Sequence, residues 1–384
     1  MSNWQIVKLG ELYSVHNGLS KGRQFFGTGY PFLTFSNVFN NWFLPNELDS
    51  LVQTTDKERE ACSIKYGDVF ITRTSETMNE LGMSSVALKD YPDATYNGFT
   101  KRLRPFTDKV LPNYIGYYLR SPKFRGKFMA FSSMTTRASL ANDNLLNMEI
   151  ELPPMDVQKK IASTLSRYDS LIDNYQKQIK LLEEAAQRLY KEWFVNLRFP
   201  GHESTKIVDG VPEGWEKKKL GSIAPILTGK KDANYGTLDG NYPFFTCSQE
   251  PIKAPSYSFD AEAVLLAGNG DFNVKLYRGR FEAYQRTYVL IPSNADLLYV
   301  LYNSVAKNMV KLANGASGST IKFLTKRMIE NIDVLVPTNT ILNEYNSLRR
   351  KIQQDLENIK SQLRLLAESR DRLLPKLLSG EIEV

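Results

Sequence analysis

Large apolar side chains recur along residues 161–193 in alternating steps of four and three. Most other positions in this stretch are Lys, Gln, Glu, Asp or Arg, as expected for a solvated helix face. An apolar repeat of about 3.5 residues is typical of the seam of a coiled coil. The pattern predicts a long helix from about Asp156 to about Phe194. Its seam positions are Ile161, Leu165, Tyr168, Ile172, Tyr175, Ile179, Leu182, Ala186, Leu189 and Trp193.

The same stripe occurs again 184 residues further along the chain, in the same register and without a gap. Two long helices of one phase, each preceded by a block of similar length, indicate a duplicated architecture. At ~1.5 Å per residue, each stripe spans roughly 50 Å. The second seam comprises Tyr345, Arg349, Ile352, Leu356, Ile359, Leu363, Leu366, Arg370, Leu373 and Leu377.

The second copy of the stripe departs from the first at three places. Arg349 and Arg370 occupy seam positions that are apolar in the first copy. A buried, unpaired guanidinium is costly. We therefore expect each Arg to lie at the seam edge, to snorkel towards water, or to pair with an acidic residue of the other helix. Pro375 is expected to kink or end the second helix near Leu374.

The blocks that precede the two helices begin and end alike, but the middles, roughly 33–130 and 245–312, do not align beyond fragments. Recognition usually resides in loops on a shared scaffold, so unlike middles suggest two binding surfaces with unlike targets. Simple drift after duplication would give the same pattern. The matching motifs are Trp4-x3-Lys8-Leu9-Gly10 with Trp215-x3-Lys219-Leu220-Gly221, Gly18 with Gly229, Tyr30-Pro31-Phe32 with Tyr242-Pro243-Phe244, and Leu152-Pro153 with Val336-Pro337.

Short apolar runs in the first block predict mixed helix and strand. Residues 69–71 form a buried strand after a Gly-Asp turn, and residues 149–152 alternate until two prolines end the strand. Residues 114–119 suggest a helix packed on the sheet. We predict four segments: a mixed domain (1–155), a central helical spacer (156–200), a second mixed domain (201–337) and a C-terminal helical spacer (338–384).

A length of 384 residues favours two to three domains, and 42% hydrophobic residues suffice for packed cores. We find no run of 18 apolar residues, so no membrane span is expected. The first residues lack an apolar segment typical of secretion. Cys62 and Cys247 are far apart, one in each half. Free thiols in a reducing, cytoplasmic compartment are therefore expected.

A net charge of +7 and a pI near 9.0 fit a nucleic-acid partner, although many proteins of this pI bind none. Arg and Lys bind phosphates, and Arg, Gln, Asn and Ser also contact base edges. Taken alone, each basic cluster fits a solvated face better, but their occurrence in both blocks favours contact with DNA. The predicted DNA-binding residues are Arg73, Thr74, Ser75, Lys101, Arg102 and Arg125 in the first block and Lys230, Lys231, Lys275, Arg278 and Arg286 in the second.

Catalytic and cofactor motifs are missing from the sequence. There is no Asn/Asp-Pro-Pro-Tyr/Phe motif of amino-methyltransferases and no Walker A sequence. Residues 268–270 (Gly-Asn-Gly) are expected to form a turn. With only His16, His202 and two distant cysteines, no metal site is predicted. We therefore expect no catalytic residues and no enzymatic activity in this chain.

The order of these motifs resembles the specificity subunits of Type I restriction-modification systems. The resemblance covers most of the chain. It is carried by the two Trp-x3-Lys-Leu-Gly openings, by Gly67-Asp68-Val69-Phe70-Ile71-Thr72-Arg73, by Leu152-Pro153-Pro154 with the helix that follows, and by Arg372-Leu373-Leu374-Pro375-Lys376-Leu377-Leu378-Ser379-Gly380.

The resemblance implies an α+β protein in which two target-recognition domains alternate with two long helices that pair as an antiparallel intramolecular coiled coil. It implies that each domain binds one half of a bipartite, asymmetric site in double-stranded DNA. It also implies two methyltransferase subunits and restriction subunits as partners, which would carry S-adenosylmethionine, ATP and Mg²⁺. The alternative is a coiled-coil interaction scaffold with two variable, protein-binding heads.

Overall fold

The computed structural model describes residues 4–75, 81–131, 138–318 and 322–384. The chain divides into two compact units, Met1–Gln176 with Ser361–Val384 (unit 1) and Lys177–Lys360 (unit 2). Each unit thus joins one mixed domain to part of each long helix. The helices are shared by the two units, whereas the sequence predicted them as separate spacer segments.

Unit 1 contains a four-stranded antiparallel sheet in the order β2-β9-β5-β7, a three-stranded sheet in the order β4-β3-β8, and the pairs β1-β11 and β6-β10. Its strands are β1 (Gln5–Lys8), β2 (Tyr13–Asn17), β3 (Phe26–Leu33), β4 (Leu51–Val52), β5 (Val69–Thr72), β6 (Thr74–Ser75), β7 (Ser84–Val86), β8 (Thr95–Tyr96), β9 (Thr100–Pro105), β10 (Ala138–Ser139) and β11 (Glu149–Leu152). Its helices are α1 (Phe35–Asn40), α2 (Asp56–Ala61), α3 (Pro112–Arg120), α4 (Pro122–Phe131), α5 (Asn142–Leu146) and the first part of α6 (Met155–Tyr190).

The predicted strands at 69–71 and 149–152 and the predicted helix at 114–119 are confirmed as β5, β11 and α3. Every residue of β5 is buried, because the strand lies inside the sheet between β9 and β7. Helix α3 packs on β7 and starts with Pro112, whose fixed φ suits the first turn of a helix. Its tyrosines fill the core of unit 1.

Unit 2 contains a six-stranded sheet in the order β15-β20-β18-β19-β16-β17, the pair β14-β21 and the small hairpin β12-β13. Helix α6 ends in a π-helical turn, Lys191–Val195. The elements that follow are β12 (Ile207–Val208), β13 (Val211–Pro212), β14 (Glu216–Lys219), α7 (Leu220–Ile223), β15 (Ile226–Thr228), β16 (Tyr242–Phe245), β17 (Ile252–Ala254), β18 (Phe259–Ala267), β19 (Val274–Ala283), β20 (Thr287–Leu290), α8 (Leu298–Asn314), α9 (Lys326–Glu330), β21 (Asp333–Val336) and α10 (Asn339–Ser379).

Helices α6 and α10 run antiparallel in each unit. In unit 1, Asp169 pairs with Arg370 at 2.8 Å, and Lys160, earlier in α6, donates to the carbonyl of Val384 at the chain end. In unit 2, Glu183 pairs with Lys360 at 2.8 Å. Later in α6, the ring of Trp193 lies 5.8 Å from that of Tyr345, which is earlier in α10. The antiparallel pairing implied by the resemblance is therefore confirmed.

All predicted seam positions are buried or half-buried. On α6 these include Ile161, Leu165, Ile172, Ile179, Leu182 and Leu189, and on α10 they include Ile352, Leu356, Ile359, Leu363, Leu366 and Leu373. Helix α10 does not end near Leu374, one of the two outcomes expected of Pro375, since it continues through Pro375 to Ser379. Leu374, Leu377 and Leu378 are buried in the core of unit 1, and their packing outweighs the hydrogen bond lost at the proline.

The two arginines at the seam differ from each other. Arg370 pairs with Asp169 of the other helix, one of the outcomes expected. Arg349 has only 3% of its surface exposed and bonds to Gln353 of its own helix at 3.1 Å. Its guanidinium lies 4.8 Å from the centre of the Tyr299 ring. Among the described residues, its Nε finds no hydrogen-bond partner.

The middles of the two blocks, which do not align by sequence, share one strand register. In unit 1, β5 pairs with β9 from Val69↔Leu103 to Thr72↔Thr100. In unit 2, β18 pairs with β20 from Val264↔Leu290 to Ala267↔Thr287. The parallel pairs correspond as well, with Leu33↔Tyr96 in unit 1 and Phe245↔Ala283 in unit 2. The two middles therefore share a strand register that their sequences do not reveal.

Cys62 is buried and Cys247 half-buried, and both are free thiols. Among the helices of the described ranges, none combines the length and apolar character that crossing a membrane requires.

Candidate nucleic-acid interface

In each unit, four short segments meet at one end of the larger sheet, the four-stranded sheet in unit 1 and the six-stranded sheet in unit 2. In unit 1 they are residues 18–20, 73–75, 97–99 and 138–140, here called loop cluster 1. Backbone hydrogen bonds hold them together: Arg73 N–H donates to Phe99 O at 3.0 Å, Leu140 N–H to Arg73 O at 3.0 Å, and Gly98 N–H to Leu19 O at 2.8 Å. Because the donors and acceptors of these bonds are backbone groups, other side chains at the bonded positions can form the same bonds.

Loop cluster 2 in unit 2 comprises residues 229–231, 268–270, 284–286 and 322–324. Its backbone bonds repeat those of loop cluster 1. Gly268 N–H donates to Arg286 O at 2.8 Å, Leu324 N–H to Gly268 O at 2.8 Å, and Gln285 N–H to Lys231 O at 3.0 Å. The turn expected at 268–270 is observed, with Gly270 at φ 68°. The two clusters are thus the same backbone structure built twice.

The matching glycines of the sequence repeat lie where backbones approach closely. A Cβ atom on Gly18 would be 2.2 Å from the carbonyl oxygen of Asn97, and one on Gly229 would be 1.8 Å from that of Ala283. No side chain fits at such distances. Glycine is therefore required at both positions to bring the first loop against the turn that follows.

Side chains on the central turns of the two clusters differ completely. The turn is Asn-Gly-Phe at 97–99 and Tyr-Gln-Arg at 284–286. Phe99 is 60% exposed. Gln285 and Arg286 are exposed, and neither side chain has a hydrogen-bond or ion-pair partner within the part of the chain that the structure describes. The same backbone therefore presents an apolar ring in one unit and a free guanidinium in the other.

Two predicted DNA-binding residues of unit 1 are buried. Arg102 is 3% exposed and donates to the carbonyls of Ser63 at 2.6 Å and Ala61 at 3.3 Å. Lys101 is 5% exposed and bonds to the side chain of Asn142. Burial, followed by the charge of Arg73, lowers the pKa of Lys101. These two cations brace the interior of unit 1, and their burial argues against direct contact with DNA.

The other predictions in unit 1 fall in different surroundings. Arg125 is half-buried and donates to the carbonyl of Leu81 at 2.5 Å, and burial lowers its pKa. Arg73 is half-buried within loop cluster 1. Thr74 and Ser75 form β6 in the same cluster, but their side chains lie outside the described part of the structure. The structure thus brings Arg73, Thr74 and Ser75 together and leaves Arg125 elsewhere.

In unit 2 the predicted residues divide into two groups. Lys230, Lys231 and Arg286 lie together in loop cluster 2. Arg278 lies further along the β18-β19 hairpin, away from its turn, where it pairs with Glu262 at 2.5 Å. Lys275 donates to the carbonyl of Ser248 at 2.8 Å, and burial lowers its pKa. Arg278 and Lys275 therefore already have partners within unit 2.

Exposed residues of the clusters that were not predicted include Phe99 and Lys322. All the predicted residues are basic or polar, so an exposed Phe is not among them. The sequence feature that marks Phe99 is its position directly after Asn97-Gly98, a pair typical of turns. No group of three His, Cys, Asp or Glu side chains capable of holding a metal occurs among the residues described.

Comparison with known proteins identifies a family. The model of the Type I restriction modification DNA specificity domain matches residues 1–184 and 212–365. The specificity subunit of the MjaIX Type I restriction enzyme from Methanocaldococcus jannaschii is 25% identical over 417 residues, covering all of this chain and 94% of that protein. The EcoDI specificity subunit of Escherichia coli is 35% identical over 178 residues, 45% of this chain and 39% of that protein.

A solved structure has the same fold. The S subunit of a Type I restriction-modification system from M. genitalium aligns with a TM-score of 0.63 at 14% identity, covering 98% of this chain and 96% of that one.

Proposed function

The chain belongs to the Type I restriction-modification DNA specificity family, and we propose that it binds one asymmetric, bipartite DNA site through loop clusters 1 and 2. Each cluster contacts one half-site. The observation that carries the proposal is the repeated backbone of the clusters, which presents unlike side chains at equivalent positions. Equivalent surfaces with unlike chemistry suit two half-sites of different sequence.

The free cations of loop cluster 2 support DNA as the ligand. Lys230, Arg286 and Lys322 are exposed and have no ion-pair partner among the described residues. Lys231 is half-buried, with its Nζ 4.4 Å from the centre of the Tyr235 ring. Phosphate contacts through such residues supply much of the affinity of DNA-binding proteins. Ion-paired Arg278, in contrast, would have to give up Glu262 first.

We further propose that two copies of a methyltransferase subunit dock on the long helices, and that restriction subunits join the assembly. Leu181 on α6 is 64% exposed, and Leu365, 184 positions later on α10, is 54% exposed. Exposed leucines at equivalent positions of the repeat suit two copies of one partner. S-adenosylmethionine, ATP and Mg²⁺ would bind to those partners, and this chain would contribute no catalytic group.

The experiment that tests the proposal is DNA binding by the complex of this chain with its methyltransferase partner. Randomised duplexes are selected for binding, and the selected sequences are aligned. We expect two unlike half-sites separated by a gap of fixed length, and affinity that falls steeply with salt. Selection of no common sequence, with weak salt dependence, would instead indicate a protein-binding scaffold.

A further inference from the structure

Phe99 and Arg286 occupy the same position of the repeated backbone. In unit 1, Asn97 N–H donates to Leu33 O, and Thr100 N–H donates back to Asn97 O, both at 3.0 Å. In unit 2, Tyr284 N–H donates to Phe245 O at 3.0 Å, and Thr287 N–H to Tyr284 O at 2.8 Å. The residue before each threonine is Phe99 or Arg286. Its carbonyl accepts the next equivalent bond, from Arg73 or Gly268.

Side-chain hydrogen bonds also hold both turns. The Oδ1 of Asn97 accepts from the N–H of Phe99 at 2.6 Å, and the hydroxyl of Thr100 donates to Asn97 O at 2.7 Å. In unit 2 the hydroxyl of Thr287 donates to Phe245 O at 3.1 Å. A side chain on such a turn starts from a fixed backbone, so less order has to be imposed when a ligand binds.

The two side chains differ in which base edge they can contact. A guanidinium offers several N–H donors in a planar fork, which matches the O6 and N7 acceptors of guanine in the major groove. The Phe ring has no hydrogen-bonding group. In the major groove, the apolar feature that it can contact is the 5-methyl group of thymine.

We propose that Arg286 and Phe99 are equivalent base-contacting residues, Arg286 binding the O6 and N7 of one guanine in one half-site and Phe99 contacting the methyl group of one thymine in the other. This assignment rests on the proposed DNA-binding function. Through these two positions, the repeated backbone makes the recognised site asymmetric.

Base analogues in the selected duplex test the assignment with the assembled complex. Guanines are replaced one at a time by 7-deazaguanine, which lacks N7, and thymines by uracil, which lacks the methyl group. For the native chain, one 7-deazaguanine should weaken binding by about 5- to 100-fold. One uracil in the other half-site should weaken it by about fourfold.

The variants Arg286→Ala and Phe99→Ala complete the test. Arg286→Ala should bind the unmodified site at least as weakly as the native chain binds the 7-deazaguanine site, since it loses the O6 contact as well as the N7 contact, and it should no longer respond to that analogue. Phe99→Ala should lose only the response to uracil. Arg350→Ala, which removes an ion-paired arginine outside both loop clusters, is the matched control and should keep both responses.

Different failures have different meanings. If the native complex selects a gapped site but Arg286→Ala still responds to every analogue, this inference is overturned and the proposed function stands. If the native complex selects no sequence at all, the proposed function fails and this inference with it. Thermal unfolding of both variants should match that of the native chain, since both side chains are exposed.

Discussion

Loop clusters 1 and 2 have the same backbone and almost nothing else in common. Their hydrogen bonds run between equivalent main-chain atoms, yet Phe99 stands where Arg286 stands and Arg73 where Gly268 stands. The difference teaches that duplication preserved the close approach of the loops. Surface side chains were left free to diverge, and these are the groups that discriminate among bases.

The interiors of the two units diverged too. At one register position of the sheet, unit 1 buries Arg102 opposite Phe70, and unit 2 buries Val289 opposite Leu265. Arg102 holds the carbonyl of Ser63, after helix α2. Unit 1 thus uses a buried cation to fix a segment of its own, whereas unit 2 is apolar at that position.

The largest expected effect concerns the glycines. Gly229→Ala should destabilise unit 2 by at least about 3 kcal/mol, because its Cβ would overlap the carbonyl oxygen of Ala283. Gly18→Ala should act similarly on unit 1. Gly126→Ala is the control, since its Cβ meets no atom within 4 Å and alanine favours a helix. Native-like thermal melting of Gly229→Ala would contradict the close approach of this loop to Ala283 in loop cluster 2.

A second test distinguishes a structural role of Arg102 from direct contact with DNA. Arg102→Leu should destabilise unit 1 by about 2–3 kcal/mol in urea unfolding, because the carbonyls of Ala61 and Ser63 lose a charged donor. The exposed Arg23→Leu is the control and should unfold like the native chain. If Arg102→Leu keeps native stability and loses only DNA affinity, Arg102 is a DNA ligand after all.

Replacing the two seam arginines should change the stability of the protein in opposite directions. Arg370→Ala removes the partner of Asp169 and should cost about 1–2 kcal/mol. Arg349→Leu restores the residue of the first repeat, Leu165. It should stabilise by about 1 kcal/mol, because it removes a buried guanidinium whose Nε has no partner among the described residues. Urea unfolding measures both, and effects of equal sign would contradict the contrast.

The smallest effect is expected from one phosphate contact. Lys230→Ala should weaken DNA binding a few-fold and lower the slope of log affinity against log salt by about 0.9. Lys217→Ala removes a cation that is paired with Asp333 and should leave the slope unchanged. Equal slopes for both variants would remove Lys230 from the interface.

The long helices could be predicted from the sequence because a seam imposes a strict period on side chains. Burial of Ile161, Leu165 and Leu356 follows from that period alone. The shared strand register was not predictable. Residues 69–72 (Val-Phe-Ile-Thr) and 264–267 (Val-Leu-Leu-Ala) have only their first residue in common. Strand β19 is continuous, whereas unit 1 has the separate strands β7 and β8 in its place.

The candidate interface was predicted only in part. A Lys or Arg in a sequence does not reveal whether its side chain is exposed and unpaired or buried and hydrogen-bonded within the protein. The hydrogen-bond partners of the buried cations are distant along the chain: Ser63 is 39 residues from Arg102, and Asn142 is 41 from Lys101. Glycine was the better guide, since Gly18 and Gly229 recur at the same motif position and mark both clusters.

The central claim is that each unit specifies one half of the DNA site. Its most direct test replaces residues 1–155 with the matching block of another family member and maps methylated bases in the host genome. The account predicts that one half-site changes while the other half-site stays as it was. A change in both halves, or in neither, would contradict it.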